Sequence, residues 1–236
     1  MAAGDDDRER AFGGDILKRT IGADIMERAP ALLTPVVMAY ERRLRRYGDT
    51  ARGVFWKNAE WQRRRYDILV GIFDDVAMAG GITVHDFGCG YGALFDYIAD
   101  HPAMHMSRYV GTDMCEGMIE AAEKRITDPR ATFQRHLWVT EAADYTFVSG
   151  TFNMSMEADD GIWWEYVEVS LERLWKATRR GMAFNLLSTS SPEKYDGLYY
   201  AAPEDVLEFV RKTMDPAAQL IVDPPMPDFT VFVRRR

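Results

Sequence analysis

The chain has 236 residues, of which 47% are hydrophobic, and carries a net charge of −8. That length suits one α/β domain with an N-terminal extension, or one large and one small domain, and the apolar content is ample for a packed core. No apolar run approaches the ~20 residues that cross a bilayer, so no membrane partner is expected, and the acidic balance speaks against a nucleic-acid partner, because phosphates reward a basic face.

Two local runs work against that balance, Arg42-Arg43-Leu44-Arg45-Arg46 and Arg63-Arg64-Arg65. Their bland reading is solvated helix faces; the sharper one is a contact with RNA or a substrate phosphate. The opening Met-Ala-Ala-Gly-Asp-Asp-Asp is polar and acidic, unlike a signal or transit peptide. A soluble, cytoplasmic protein is expected. Cys89 and Cys115 suggest no disulfide framework, and four histidines without zinc spacing suggest no metal.

In chain order, residues 1–14 are expected to be a disordered tail. Residues 15–46 read as one or two helices interrupted at Pro30 and Pro35, with Thr34-Pro35 as a helix start. Gly48 ends that element, and 49–57 form a loop containing Phe55 and Trp56. A helix follows over 59–78, where Trp61, Ile68, Leu69, Ile72, Phe73 and Val76 keep the helical period. Together 15–80 form an N-terminal helical lid, and 81–236 the main domain.

In that domain, strands are predicted at 82–87, 108–113, 131–136, 144–149 and 182–188. Helices fall at 92–101, 115–126 and 161–179, the last with Arg179 and Arg180 in its final turn and Gly181 as its stop. Pro203 opens a helix through Met214. Two last strands, 218–223 and 228–234, are separated by Pro224, Pro225 and Pro227. The alternation implies a doubly wound, mainly parallel sheet. The proline-rich link is too short for a crossover, so the chain must end in an antiparallel hairpin.

The informative stretch is Val84-His85-Asp86-Phe87-Gly88-Cys89-Gly90-Tyr91-Gly92. A strand, a glycine turn, a helix and a second strand closed by Asp113 form a grip for a nucleoside-bearing cofactor. Gly88-x-Gly90-x-x-Ala93 formally fits a nicotinamide fingerprint, which keeps an oxidoreductase in view. Three details favour S-adenosylmethionine. Asp86 stands two residues before the first glycine and Gly92 adds a third alternating one. About 80 residues precede the motif. The terminal hairpin suits a seven-stranded methyltransferase sheet.

Asp86-x-Gly88-x-Gly90-x-Gly92, followed by Gly111-Thr112-Asp113-Met114, the fourth strand and the closing hairpin, resembles the class I S-adenosylmethionine-dependent methyltransferases over roughly residues 54–236. The stretch Tyr47–Trp56 also resembles small-molecule and sugar-pathway members. The resemblance implies the cofactor S-adenosylmethionine and the product S-adenosylhomocysteine. It implies that Gly88, Cys89, Gly90 and Gly92 cradle the cofactor, that Asp113 holds its ribose hydroxyls with Met114 in the same site, and that Asp86 orients the turn or the amino group. The family often has a polar residue after the third strand for the adenine amine. Here Phe133–Trp138 offers no acid, which leaves the base to backbone groups and to Leu137 or Trp138.

Strand four exits through Ser149-Gly150-Thr151-Phe152-Asn153-Met154, expected to pass the sulfonium. Ser149 and Gly150 then belong to the cofactor site, while Phe152 and Asn153 face the substrate. No Asn/Asp-Pro-Pro-Tyr/Phe motif of amine methyltransferases occurs there, and Asp223-Pro224-Pro225-Met226 lies in the wrong place for it. His136 and Asn153 are weak catalytic candidates, as base and as substrate orienter. His85 reads as a core residue. Trp56 and Arg65, in the lid, are placed at the cofactor, and Arg65 could pair with its carboxylate. Trp163, Tyr195 and Tyr199 are expected at the substrate, the Tyr195–Tyr200 loop being long enough to line an aromatic pocket. The expected activity is methyl transfer to O, N or C of a small molecule. RNA or protein methylation, a nicotinamide oxidoreductase and a non-catalytic cofactor-binding protein are the alternatives. Homodimerisation stays open.

Overall fold

A computed structural model describes residues 6–235, and the side chains of 24–235. Of the tail expected over 1–14, residues 1–5 lie outside the described residues, and the chain is helical from Asp6. Helix α1 (Asp6–Tyr47) is one 42-residue element that passes through both Pro30 and Pro35. The expected interruption does not occur. Each proline removes a donor and costs a helix interior about 3 kcal/mol. Against this, Ile25, Ala29, Leu33, Val36 and Ala39 form a stripe buried in the core beneath α1, and each large side chain on it returns roughly 2 kcal/mol. Thr34 Oγ1 donates to Pro30 O at 2.9 Å, back-bonding one turn earlier between the two prolines.

The helix expected over 59–78 is broken. Helix α2 (Ala59–Leu69) is followed by a tight turn at Val70–Ile72 and by the short α3 (Asp75–Met78). Asp74 causes the restart: its side chain accepts from Val76 N and Ala77 N, a cap that competes with continued helix.

Strands and helices then alternate: β1 (Thr83–Phe87), α4 (Ala93–Ile98), β2 (Arg108–Asp113), α5 (Glu116–Arg125), β3 (Ala131–Arg135), β4 (Ala143–Val148), α6 (Asp160–Ala177) and β5 (Thr178–Ser188). The two-residue β6 (Tyr200–Ala201), α7 (Pro203–Thr213), β7 (Gln219–Val222) and β8 (Asp228–Arg234) complete the chain. The main path of the sheet runs β3-β2-β1-β4-β5-β8-β7, with β6 added beside β5. Pairs from β3 to β5 are parallel, whereas β8 is antiparallel to both β5 and β7. The expected seven-stranded α/β sheet with its hairpin is present, and β6 is an addition that sequence reading did not anticipate.

Arg179, Arg180 and Gly181 are strand residues, not a helix end. Thr178 already stands in extended conformation, and Gly181 pairs with Tyr145 on one side and Arg234 on the other. A Cβ on Gly181 would lie 3.0 Å from Ile72 Cγ1, so the glycine serves packing. One face of the sheet is covered by α1, α6 and α7, the other by α2, α4 and α5. The carboxyl ends of β1, β2, β4 and β5 therefore share one edge. Among the described residues, no helix is long and apolar enough to cross a membrane.

Candidate active site

The turn after β1 is held by backbone geometry that only glycine adopts freely. Gly88, Gly90 and Gly92 have φ of 76°, 53° and 80°. A Cβ on Gly88 would stand 2.3 Å from Thr151 Oγ1, so the first glycine lets the turns after β1 and β4 touch. A Cβ on Gly92 would meet Ile126 Cδ1 at 2.5 Å, so the third glycine seats α4 against its neighbours. Gly90 differs: its added Cβ would find only Val54 Cγ1, at 3.4 Å. It faces a cavity.

Asp113 ends β2 and ties that turn together. Its Oδ2 accepts from Gly90 N at 2.9 Å and its Oδ1 from Cys115 N at 2.8 Å. Burial raises its pKa, and the N–H groups of Cys115, Gly90 and Met114 oppose the rise. Both oxygens keep lone pairs for further donors. Asp86, one strand away, is buried and accepts from Tyr109 OH at 2.5 Å. Desolvation pushes its pKa up to about 7, with a further push from Asp113, while the tyrosine hydroxyl holds it back. A cation arriving beside these two carboxylates would favour their ionised forms.

The segment that carries Trp56 and Arg65 packs over this edge. Phe55 takes a left-handed conformation (φ 64°) after the turn Ala51–Val54 and sends Trp56 onto the sheet. The indole leaves no space at Gly150, where a Cβ would meet its Cη2 and Cζ2 at 2.6 Å. Arg65 lies 4.1 Å from the Trp56 ring centroid. Its guanidinium donates from Nε to Asp228 Oδ2 at 2.6 Å and from Nη2 to Oδ1 at 2.8 Å. Both side chains are 4% exposed. Burial lowers the pKa of Arg65 and raises that of Asp228, and the ion pair works against both shifts.

A cavity of about 760 Å³ results, within the range of small-ligand sites. From the cofactor set it is lined by Asp86, Gly88, Cys89, Gly90, Asp113 and Met114, by Leu137, Ser149 and Gly150, and by Trp56 and Arg65. From the substrate set it takes Asn153 and Tyr195. Gly92, Phe152, Trp163 and Tyr199 are not brought to it. Phe152 and Trp163 are fully buried together, Trp163 Nε1 donating to Phe152 O at 2.9 Å, and Tyr199 joins the same core. These three aromatics serve packing: Phe152 turns away from its cavity-lining neighbours into the core with Trp163 of α6, and Tyr199 joins them from the segment before β6.

Arg65 reaches the cavity, but Asp228 claims its guanidinium. His136 lines the rim, exposed, with Nδ1 2.9 Å from Trp138 O. His85 is buried in β1 beside Thr112 Oγ1 at 2.9 Å, and burial lowers its pKa to about 4.

Sequence reasoning missed a polar chain on α2. Tyr91 OH donates to Gln62 Oε1 at 3.2 Å, and Gln62 Nε2 donates to Tyr66 OH at 3.1 Å; all three residues line the cavity. The spacing of Gln62 and Tyr66 on one helix face was the available signal. Asp223–Met226 lies between β7 and β8, where it was expected; Pro225 and the following Pro227 line the cavity, and Asp223 accepts from Arg64 Nε at 2.5 Å.

The residues present fit a sulfonium nucleoside. The glycine turn leaves a cradle at Gly90, two carboxylates stand beside it, and Ser149 Oγ is buried in the wall without a hydrogen-bond partner among the described residues. Among the described residues, no cluster of three or more His, Cys, Asp or Glu could hold a metal ion.

Comparison with known proteins agrees. A family model described as a methyltransferase domain matches residues 84–181. A protein of Mycobacterium tuberculosis named as a methyltransferase, Rv1506c, is 32% identical over 163 residues, covering 68% of this chain and 97% of its own. Magnesium protoporphyrin IX methyltransferase from Synechocystis PCC 6803, solved with S-adenosylhomocysteine, superposes with a TM-score of 0.60 at 14% identity, over 84% of this chain and 94% of that one. The plantazolicin methyltransferase BpumL, also solved with S-adenosylhomocysteine, gives a TM-score of 0.54 at 14% identity, over 92% and 100%. The two solved structures establish likeness of fold, and the relative establishes kinship. The nicotinamide reading of the glycine turn has no such support. The chain belongs to the class I S-adenosylmethionine-dependent methyltransferases.

Proposed function

We propose that this enzyme methylates O, N or C of a small-molecule metabolite. One observation carries the reading: residues of α1 and α2 wall the crevice at the sheet edge into a cavity of about 760 Å³, a small-ligand volume. The bound cofactor supplies a methyl group on an already activated cationic sulfur. What remains for the chain is to hold, align and exclude water.

Asp113 would accept from the ribose hydroxyls while keeping its two backbone donors. Asp86 would face the ammonium group of the cofactor. Met114 and Leu137 offer the base apolar contact. Asn153 is suited to orient an acceptor. Its Oδ1 accepts from Leu187 N at 3.1 Å, which settles the amide orientation and leaves Nδ2 as a donor at the cavity wall. His136 uses Nδ1 in the turn at Trp138, which leaves Nε2 as the nitrogen that would act as a base.

The basic runs, which kept RNA in view, are largely engaged within the chain. Arg64 and Arg65 bind Asp223 and Asp228. Arg43 donates to Arg52 O at 2.8 Å and stacks on Tyr47 and Phe55. A phosphate backbone would have to displace these partners.

The test is transfer of a labelled methyl group into a cell extract split by ultrafiltration. Label is expected in the low-mass filtrate. Label found only in retained RNA or protein would overturn the proposal.

A further inference from the structure

Resting on that small-molecule reading, we infer that the acceptor presents a flat, uncharged aromatic ring to the half of the cavity built by the lid and by the loops after β5 and β7. The walls of that half are Trp61, Tyr200, Pro192, Pro225 and Pro227, with Trp56 standing against Gly150 where it meets the cofactor half. Rings and prolines offer flat apolar faces, and an aromatic guest gains more from them than a saturated one of equal size.

The rings are fixed before any guest arrives. Trp56 is pressed on Gly150 and covered by Arg65, which Asp228 holds through two hydrogen bonds. Tyr200 stands in β6, and its hydroxyl oxygen accepts from Tyr195 N at 2.9 Å, so the phenol is anchored at both ends. Trp61 sits in the first turn of α2, its N–H capped by Asn58 at 2.9 Å, with the Lys57 ammonium 4.6 Å from its centroid. Walls already ordered lose little rotamer freedom on binding.

Charge in this half is compensated or confined to the rim. Arg65 and Asp228 neutralise each other in the interior. Glu193 accepts from Tyr195 OH at 2.7 Å at an exposed position, and Lys57 is exposed. An ionised acceptor entering beyond the rim would lose hydration without gaining a counter-charge. Asn153, beside Gly150 near Trp56, supplies a polar contact that can orient a ring substituent.

The experiment uses the full chain saturated with S-adenosylhomocysteine and titrated calorimetrically with three probes: 1-naphthol, its saturated analogue decahydro-1-naphthol, and 1-naphthoate. Naphthol should bind about tenfold more tightly than the saturated analogue, the ratio expected from aromatic contacts, and more tightly than naphthoate. Trp56→Leu should shrink the naphthol preference, and Tyr200→Leu gives the same reading should the first variant fold poorly. Equal binding of the flat and saturated probes overturns the inference. So does tightest binding by naphthoate, or binding of no probe while S-adenosylhomocysteine still binds. The extract experiment fails separately: label in macromolecules sinks the small-molecule reading, whereas a lost ring preference sinks only this one.

Discussion

The two halves of the cavity are built on different principles. The cofactor half is a backbone device. Three positive-φ glycines, one strand-end carboxylate and two amides converge within a short stretch of chain and one neighbouring strand. The acceptor half is a side-chain device assembled over great sequence distances: Arg64 reaches Asp223 and Arg65 reaches Asp228, 159 and 163 residues away. The first kind of site tolerates change around it but not in it. The second depends on a few pairings, and its shape can drift with them.

Breaking the second kind should cost most. Asp228→Ala leaves the buried Arg65 cation without its partner, a loss of about 3–5 kcal/mol, to be read from the midpoint of denaturant unfolding. A change below 1 kcal/mol would mean the pair is not what pins the lid. Trp56 fluorescence should respond in the same variant, since its stacked guanidinium is then free to move.

In the cofactor half, Asp113→Ala should abolish S-adenosylhomocysteine binding. It should also strand the N–H groups of Gly90 and Cys115, at about 1–3 kcal/mol each. Gly90→Val should remove binding with a smaller loss of stability: the space beside Gly90 is cavity and not protein, so the cost is the strain of a β-branched residue at φ 53°, about 1–3 kcal/mol. Equal destabilisation by the two variants would contradict this division of labour.

Next comes pH. Asp86 has a folded pKa near 7 against an ordinary 3.8, because it is desolvated. The folded apo protein therefore holds that proton more tightly than the unfolded chain. Stability from this group is fully present below about pH 4 and is lost as pH rises through 7. Asp86→Asn should flatten that decline. A cofactor ammonium facing the carboxylate would reverse the preference, so binding near pH 6 should release protons and weaken relative to pH 8. Calorimetry in buffers of different ionisation enthalpy measures both. Absence of proton release would place the ammonium elsewhere.

The smallest effect belongs to Arg64→Ala. Its pair with Asp223 is about two-fifths exposed on the arginine side, and exposed pairs contribute within ~1 kcal/mol. The unfolding midpoint should hardly move. A loss as large as that of Asp228→Ala would show that both clamps carry the lid.

Much of the cofactor half was legible in the residue order. β2 and β8 fall where alternation and flanking turns put them, and Asp86, Gly88, Gly90 and Asp113 meet at one cavity. Local rules sufficed there, since a glycine turn, a strand end and a helix start constrain their immediate neighbours. They failed where tertiary burial outweighed them. Pro30 and Pro35 break helices in general, but a buried stripe carries α1 through both. Arg179, Arg180 and Gly181 look like a helix end, but β5 lies between two partner strands that extend the pairing back to Thr178. Phe152, Trp163 and Tyr199 have the composition of a substrate pocket and the location of a core.

The residue order alone determined the sheet, its reversed last strand and the grip on a nucleoside, because those follow from short-range periodicity and backbone conformation. Which arginine meets which aspartate, and hence where Trp56 rests and what shape the acceptor finds, was decided only by folding. Partners some 160 positions apart along the chain leave no periodic trace, and only the folded chain brings them within hydrogen-bond reach.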